Sequence, residues 1–283
     1  MSKAGPKRML PHGTVDTHFH LFGPAAHYPY AGGRSYTPVD AGLDAYLAMA
    51  ARLGISRSVI VQPSPYGTDN RRLLDGLAQS PIPMRGVVVV DDSVSDSELA
   101  AMHQQGVRGI RINLVFSAGQ GTATAIDLAP RLRALGWHIQ FLVDVSDWSG
   151  LRETIARLGV PAVFDHIGHV PAERSVDDKG FKDLLSLLRD GLAWVKLSGT
   201  CRMTQALVGP PYLDVRPFFD AAIAANRNQV IWATDWPHSS IQVPLPDDGD
   251  LANMALDWIG SDATLRKSIF VDNPERLYCF QPA

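Results

Sequence analysis

The stretch Thr14-Val15-Asp16-Thr17-His18-Phe19-His20-Leu21-Phe22 is short, largely apolar or β-branched, and carries two histidines two residues apart. Such a run reads as a buried strand. A helical pattern over Asp40–Leu53 follows and stops at Gly54, a residue suited to closing a helix. The same unit then recurs. Ser56–Gln62, Arg85–Val90, Gly109–Asn113 and His138–Val143 are strand-like, as are Ala162–His166, Ala193–Ser198 and Gln229–Thr234. Helical patterns lie between them at Asp69–Gln79, Ser95–Gln105, Asp127–Leu135, Trp148–Leu158, Phe181–Leu188 and Val215–Asn226, with Leu251–Ile259 and Asp262–Phe270 closing the chain. Ser95 with Glu98 three residues on forms a capping-box pattern, and Asp69 is a candidate N-cap. Eight strands alternating with helices predict an α/β protein, a single (β/α)8 TIM barrel. An open doubly wound sheet ranks lower, because no GxGxxG follows the first strand.

The chain of 283 residues suits one such barrel of about 250 residues. We assign 13–283 to the barrel and 1–12 to an N-terminal extension. The net charge of −3 and the absence of a long basic run speak against a nucleic-acid partner. No apolar stretch approaches the ~20 residues that span a bilayer, and the first residues lack the apolar centre of a signal peptide. Cys201 and Cys279 stand far apart in no CxxC pattern, which fits a reducing cytoplasm. The partly apolar segment from Trp258 to Phe280 could cover the barrel or meet a second subunit in a homo-oligomer.

In a barrel the residues just past the strand ends face one another. Strand alternation points His18 and His20 the same way, and two imidazoles suit a divalent metal or an anion. An HxH alone is equally compatible with two histidines that bond to loops. Asp235 follows the eighth strand, where a carboxylate could hold a water and take its proton, or could cap a loop. His166 ends the sixth strand, with His169 farther into the loop. Arg111 lies within the fourth strand, where a charge needs either an internal partner or a substrate anion. Arg202 follows the seventh strand and could hold a carboxylate or simply face solvent. Tyr66, Thr68 and Asn70 offer polar groups in the second loop, alongside ordinary turn chemistry.

The motifs HxH, Asp165-His166-Ile167-Gly168 and Thr234-Asp235-Trp236-Pro237-His238 together resemble the amidohydrolase superfamily. More closely, Val15–Pro24, Val61–Asn70, Val107–Asn113, Phe164–Gly168 and Trp232–His238 are similar to the 2-pyrone-4,6-dicarboxylate lactonases and related lactone hydrolases. Pro246–Gly249 and Asn273–Tyr278 extend the likeness over nearly the whole chain. The resemblance implies hydrolysis of a small anionic lactone, of the pyrone-dicarboxylate or muconolactone kind, in aromatic-compound catabolism. It implies Asp235 as general base, His18, His20 and His166 around the carbonyl, and Arg111 and Arg202 on substrate carboxylates. Tyr66 stands where those lactonases carry a histidine. Ser117 stands where they carry a further arginine, so one substrate anion is bound differently or is absent.

The cofactor stays open on these residues. Many relatives hold one divalent ion with HxH, a fifth-strand histidine and the last aspartate. Here His138 is at the start of the fifth strand, the wrong end, and no lysine for carboxylation stands there. The resemblance implies either no required cofactor or one divalent metal, zinc first, on His18, His20, His166 and Asp235. Two other readings share these residues: a metal-dependent decarboxylase of the same superfamily, and a non-catalytic small-molecule-binding barrel.

Overall fold

Successive runs of β-branched and aromatic residues pair with their sequence neighbours around one parallel sheet. Its strands are β1 (Val15–Phe19), β2 (Arg57–Val61), β3 (Met84–Val88), β4 (Val107–Asn113), β5 (His138–Leu142), β6 (Ala162–Phe164), β7 (Ala193–Leu197) and β8 (Val230–Trp232). Their order is sequential, β1 to β8. The ring closes just past β8, where Phe19 pairs with Trp236, Asp235 N donates to His18 O at 2.9 Å and His20 N to Trp236 O at 2.9 Å. The fold is the expected (β/α)8 barrel. The computed structural model describes residues 6–115, 121–241 and 244–282.

Helices α1 (Leu43–Leu53), α2 (Arg71–Gln79), α3 (Asp96–Gln104), α4 (Thr122–Ala134), α5 (Leu151–Leu158) and α6 (Lys179–Arg189) cover the first strands. The short α7 (Thr200–Met203) opens the loop after β7, and α8 (Arg216–Ala225) leads into β8. Then come α9 (Asp248–Ile259), α10 (Ala263–Lys267) and α11 (Asn273–Tyr278), the last two joined by a π-turn over Ser268–Asp272. The first helix begins later than its pattern suggests, because Ala41 is held in an antiparallel bridge with Phe22. The second begins at Arg71, with Asn70 at the cap position and the Asp69 carboxylate accepting from Arg71 N. Trp258, Ile269, Phe270 and Phe280 are buried in this chain, so the C-terminal segment packs on its own barrel.

Outward residues of the strands, such as Ile110, Ile112, Ile139, Phe141, Val195 and Leu197, pack on the helices. Burial of each such side chain contributes roughly 1.5–3 kcal/mol. The lower interior is apolar: Val15, Val59, Val61, Val87, Val163 and Ile231 cluster with Trp194, Tyr278 and Phe280. One register shift aims the first motif. Asp16 pairs with Ser58 and Phe19 with Ile60, so β1 carries an extra residue there. Asp16 points at helix α1, bonding Tyr46 Oη at 3.0 Å, and strict alternation would send His18 the same way. The bulge turns His18 and His20 inward instead.

Helix α3 carries the predicted capping box: Ser95 Oγ accepts from Glu98 N, and Glu98 accepts from Ser95 N at 2.8 Å. Replacing Ser95 by Ala leaves Glu98 N without its cap. Urea denaturation of Ser95→Ala is expected to show a loss of about 1 kcal/mol.

Candidate active site

Above the apolar floor the interior becomes charged. Asp165, one step past β6 and two from inward-facing Val163, is fully buried. Its Oδ2 accepts from Arg111 Nε at 3.2 Å, Arg111 Nη2 at 3.0 Å and Gln140 Nε2 at 3.0 Å. Its Oδ1 faces His18 Nδ1 at 3.1 Å and Lys196 Nζ at 3.3 Å. Lys196, on β7 two residues from Trp194, is likewise fully buried and donates to Thr17 O at 3.0 Å and Gln140 Oε1 at 2.7 Å. Burial alone would raise the Asp165 pKa, but His18, Lys196 and Arg111 hold it well below the carboxylate range. Burial lowers Lys196 to about 8, with Asp165 opposing.

The candidate reactive groups rest on this platform. His20 Nδ1 donates to Val61 O at 2.7 Å, which leaves its Nε2 lone pair facing His18 Nε2, 3.2 Å away. Donation from His18 Nδ1 to Asp165 leaves a second lone pair at that point. Asp235 Oδ1 stands 3.9 Å from His18 Nε2 and 3.7 Å from His166 Nε2. It is buried and has no hydrogen-bond partner among the described residues. The other oxygen, Oδ2, accepts from Arg202 Nε at 2.7 Å. Arg202 Nη2 also donates to Ser239 O at 3.0 Å. Burial would raise the Asp235 pKa; Arg202, His166 and His18 outweigh it and hold the group ionised. Burial lowers His20 to about 4 and His166 to about 3, so both imidazoles are neutral near pH 7.

Backbone geometry marks the same place. Among the described residues, the non-glycine residues with left-handed backbones are His166, Ile167, His169, Asp235, His238 and Ser240, plus the distant Cys279. This conformation costs energy and persists where the surroundings enforce it. His166 is enforced from β7: Ser198 Oγ lies 3.0 Å from its Nδ1, and a Cβ on Gly199 would stand 2.4 Å from its ring. Behind Asp235, buried His238 bonds Asp248 at 2.8 Å, and this bond, opposing burial, raises it to about 10.

The structure therefore brings together His18, His20, His166, Asp235 and Arg202. Arg111 also lines the cavity, but its bonds run to Asp165 and, at 3.2 Å, to Gln62 O. The internal ion pair weighed as its alternative is present. Tyr66 is not on the wall; it is buried and its hydroxyl accepts from Gly23 N at 2.8 Å. Thr68 lines a separate hollow beside α2 and α3. Ser117 lies outside the described residues. His169, the alternative to His166 in the sixth loop, also lines the cavity, and Tyr36, Ser64, Leu142 and Ser239, which were not singled out in the sequence, complete the walls. The free volume is about 20 Å³, roughly one water's room, under Tyr36, whose hydroxyl is 3.3 Å from Ser239 Oγ.

His18, His166 and Asp235 also form a group that could hold a metal ion, with ligand atoms within 4.8 Å of one another. The donors fit: an unpartnered buried carboxylate oxygen and imidazoles whose Nε2 atoms face it. Asp165 behind His18 is the outer-shell carboxylate that metal-bound histidines commonly use.

An eight-stranded barrel with HxH at β1 and an aspartate past β8 defines an amidohydrolase-type site. The amidohydrolase family model matches residues 15–280, and the chain belongs to that family. It is 36% identical to a 2-pyrone-4,6-dicarboxylate hydrolase of Comamonas testosteroni, covering 96% of this chain and 92% of that one. It is 38% identical to a 4-sulfomuconolactone hydrolase of Rhizobium radiobacter, covering 95% and 91%. The crystal structure of Agrobacterium tumefaciens ATU3138 superposes with a TM-score of 0.87 at 27% identity, covering 98% of this chain and all of that one.

Two predictions follow from the buried charges. Asp165→Asn strands Arg111 and Lys196, and denaturant unfolding should show a loss of about 3–5 kcal/mol. The second concerns pH. His20, His138 and His166 have folded pKa values of about 4, 3 and 3, below an unfolded value of 6.5. The unfolded chain binds more protons below pH 6.5, so stability falls as pH drops through that window, by about 1.4 kcal/mol per pH unit and proton. Asp16, raised by burial to about 6, offsets one of the three between its unfolded value of 3.8 and 6. His238 acts oppositely to the histidines: its contribution is full below pH 6.5 and is lost as pH rises toward 10. Lys196, lowered by burial from 10.5 to about 8, adds stability as pH rises above 8 and cancels the His238 loss there. Denaturation midpoints against pH should therefore peak near neutrality, fall steeply on the acid side, and fall only shallowly up to about pH 8.

Proposed function

We propose that the protein is a hydrolase that opens an anionic lactone by water attack on the ring carbonyl. The observation that carries this reading is the unpartnered Oδ1 of Asp235, buried between two neutral imidazoles beside the Arg202 guanidinium. Relatives named for a pyrone dicarboxylate and a sulfomuconolactone, both anionic lactones, support it.

Arg202 sits at the wall and draws in the substrate carboxylate, a pairing that a planar guanidinium favours. With Nδ1 accepting from Ser198 Oγ, His166 presents Nε2–H to the carbonyl oxygen and polarises it, while the Nε2 lone pairs of His18 and His20, fixed by Asp165 and Val61 O, accept from the attacking water and orient it. Asp235 accepts a proton from water as the water oxygen bonds to the carbonyl carbon. The ring C–O bond then breaks, and the proton held by Asp235 passes to the departing ring oxygen, leaving a hydroxyl or enol and a carboxylic acid that releases its proton to solvent as the carboxylate. Arg111 holds Asp165 in place and so acts on the site through His18. A divalent ion, zinc by its donors, would be held by His18, His166 and Asp235, with His20 adjacent, and would supply Lewis-acid polarisation. The free thiols Cys201 and Cys279 agree with a cytoplasmic setting, and no helix among the described residues is long and apolar enough to cross a membrane.

The test is acid release from a panel of anionic lactones, followed by pH-stat, for the purified chain and Asp235→Asn. Hydrolysis by the parent and a loss of about 10²–10⁴ in kcat for the variant are expected. Chelation then separates two forms of the reading: turnover that survives it rests on imidazoles alone, and turnover restored by zinc places the ion at the site. Failure to open any lactone, or near-normal turnover by Asp235→Asn, overturns the assignment.

A further inference from the structure

On the helix side of β1 stands a second buried carboxylate, Asp16, which the reaction does not use. Its Oδ1 accepts from His18 N at 3.2 Å and from Thr234 N at 2.9 Å. Its Oδ2 accepts from Thr234 Oγ1 at 2.6 Å and from Tyr46 Oη at 3.0 Å. These donors are all neutral. A buried carboxylate with no cation bonded to it is costly. Apart from the bond to Tyr46, everything Asp16 holds belongs to two residues, His18 and Thr234.

Thr234 carries that grip to Asp235. Its hydroxyl donates to Asp16 and accepts from Trp236 N at 3.1 Å, so both flanks of Asp235 are tied to one oxygen. Thr234 is buried, and neither it nor Asp16 lines the cavity. Asp235, between the two tied residues, has a φ of 65°, a left-handed backbone that costs energy. Its own N donates to His18 O at 2.9 Å. Asp235 Oδ1 and His18 Nε2 stand 3.9 Å apart, and Oδ1 has no hydrogen bond to fix that separation. Apart from Arg202 on Oδ2, the backbone therefore decides where the carboxylate stands, and Asp16 with Thr234 holds that backbone.

We propose that Asp16 and Thr234 are positioning residues: they form a clamp behind the cavity that holds the strained turn of Asp235 against His18 and so sets where the proton-accepting oxygen stands. A hydroxyl suits the task because it donates to a carboxylate and accepts from an amide at once, and the β-branch of threonine stiffens χ1. The inference rests on the reading of Asp235 as the base and adds the groups that keep it in place.

The experiment removes the hydroxyl and keeps the shape, with Thr234→Val in the full chain. The probe is 2-pyrone-4,6-dicarboxylate or, if the parent leaves that intact, the panel lactone it opens fastest. A fall in kcat of about tenfold to hundredfold is expected, with KM within about threefold. Thr234→Ser, which keeps the hydroxyl, should return kcat to within about threefold of the parent, and Thr234→Val should cost less than about twofold when added to Asp235→Asn. A residue that only supports the fold would cost the same in both backgrounds. Should Thr234→Val not fold, Thr234→Ala carries the same expectations. Amide hydrogen exchange read by NMR needs no substrate. The Asp235 N–H, which donates to His18 O and not to Thr234, should exchange at least about tenfold faster in the hydroxyl-free variant, while the amides of β5 keep the parent's rates. Near-parent kcat in that variant, no recovery in Thr234→Ser, an equal loss in both backgrounds, or an unchanged Asp235 exchange rate overturns the clamp while lactone hydrolysis stands. If no lactone is opened, the lactonase reading falls, and the exchange rates alone decide the clamp.

Discussion

The carboxylate of Asp165 is the interaction on which the upper barrel depends. It is wholly buried, and it gathers a guanidinium, an ammonium, an amide and an imidazole from four different strands. A dry charge of this kind costs several kcal/mol of desolvation, and its partners return that only through near-complete satisfaction. An apolar layer would serve stability as well. What the charged layer adds is position: the donor on His18 Nδ1 and the inward lone pair on Nε2 follow from where Asp165 stands. The platform therefore trades stability for a defined imidazole orientation.

That trade recurs around the pocket. His166 and Asp235 hold left-handed backbones, and each is enforced by neighbours: Gly199 and Ser198 for the first, the barrel closure and Arg202 for the second. Arg202 matches the Asp235 charge yet stays at the wall, the position that the proposed role of anion anchor needs. The donor set at His18, His166 and Asp235 suits either an attacking water or a divalent ion, because both need the same convergence of lone pairs.

Much of this is legible in the sequence because barrel chemistry collects at strand ends. His18, His20, His166, Arg202 and Asp235 each stand at such an end, and the eight-fold alternation makes those ends converge. The reasoning that singles out Arg111, a charge inside an apolar run, applies equally to Lys196 in Ala193-Trp194-Val195-Lys196-Leu197 and to Asp165 beside His166, and it identifies the whole platform once followed through. Other features depend on three dimensions. The β1 bulge cannot be seen in a pattern of residue types, although it decides which way His18 faces. Tyr36, Ser64 and Ser239 lie on loops whose paths no local propensity sets, and Tyr66 turns inward, where its hydroxyl accepts from Gly23 N. The extent of α1 is set by a pairing between Phe22 and Ala41, a contact across the loop rather than along it.

The last point concerns where the ring is joined. His18 belongs to the first strand and Asp235 follows the eighth, and the bonds that bring them together, Asp235 N to His18 O and His20 N to Trp236 O, are those that close the barrel. The pair proposed to act on substrate thus straddles the seam between the two ends of the sheet. A ribosome must complete nearly the entire polypeptide before these groups can meet, so no partly made chain can act on substrate. Any splitting or permutation that leaves the seam unsealed would part His18 from Asp235, since the bonds that join them are the closing ones.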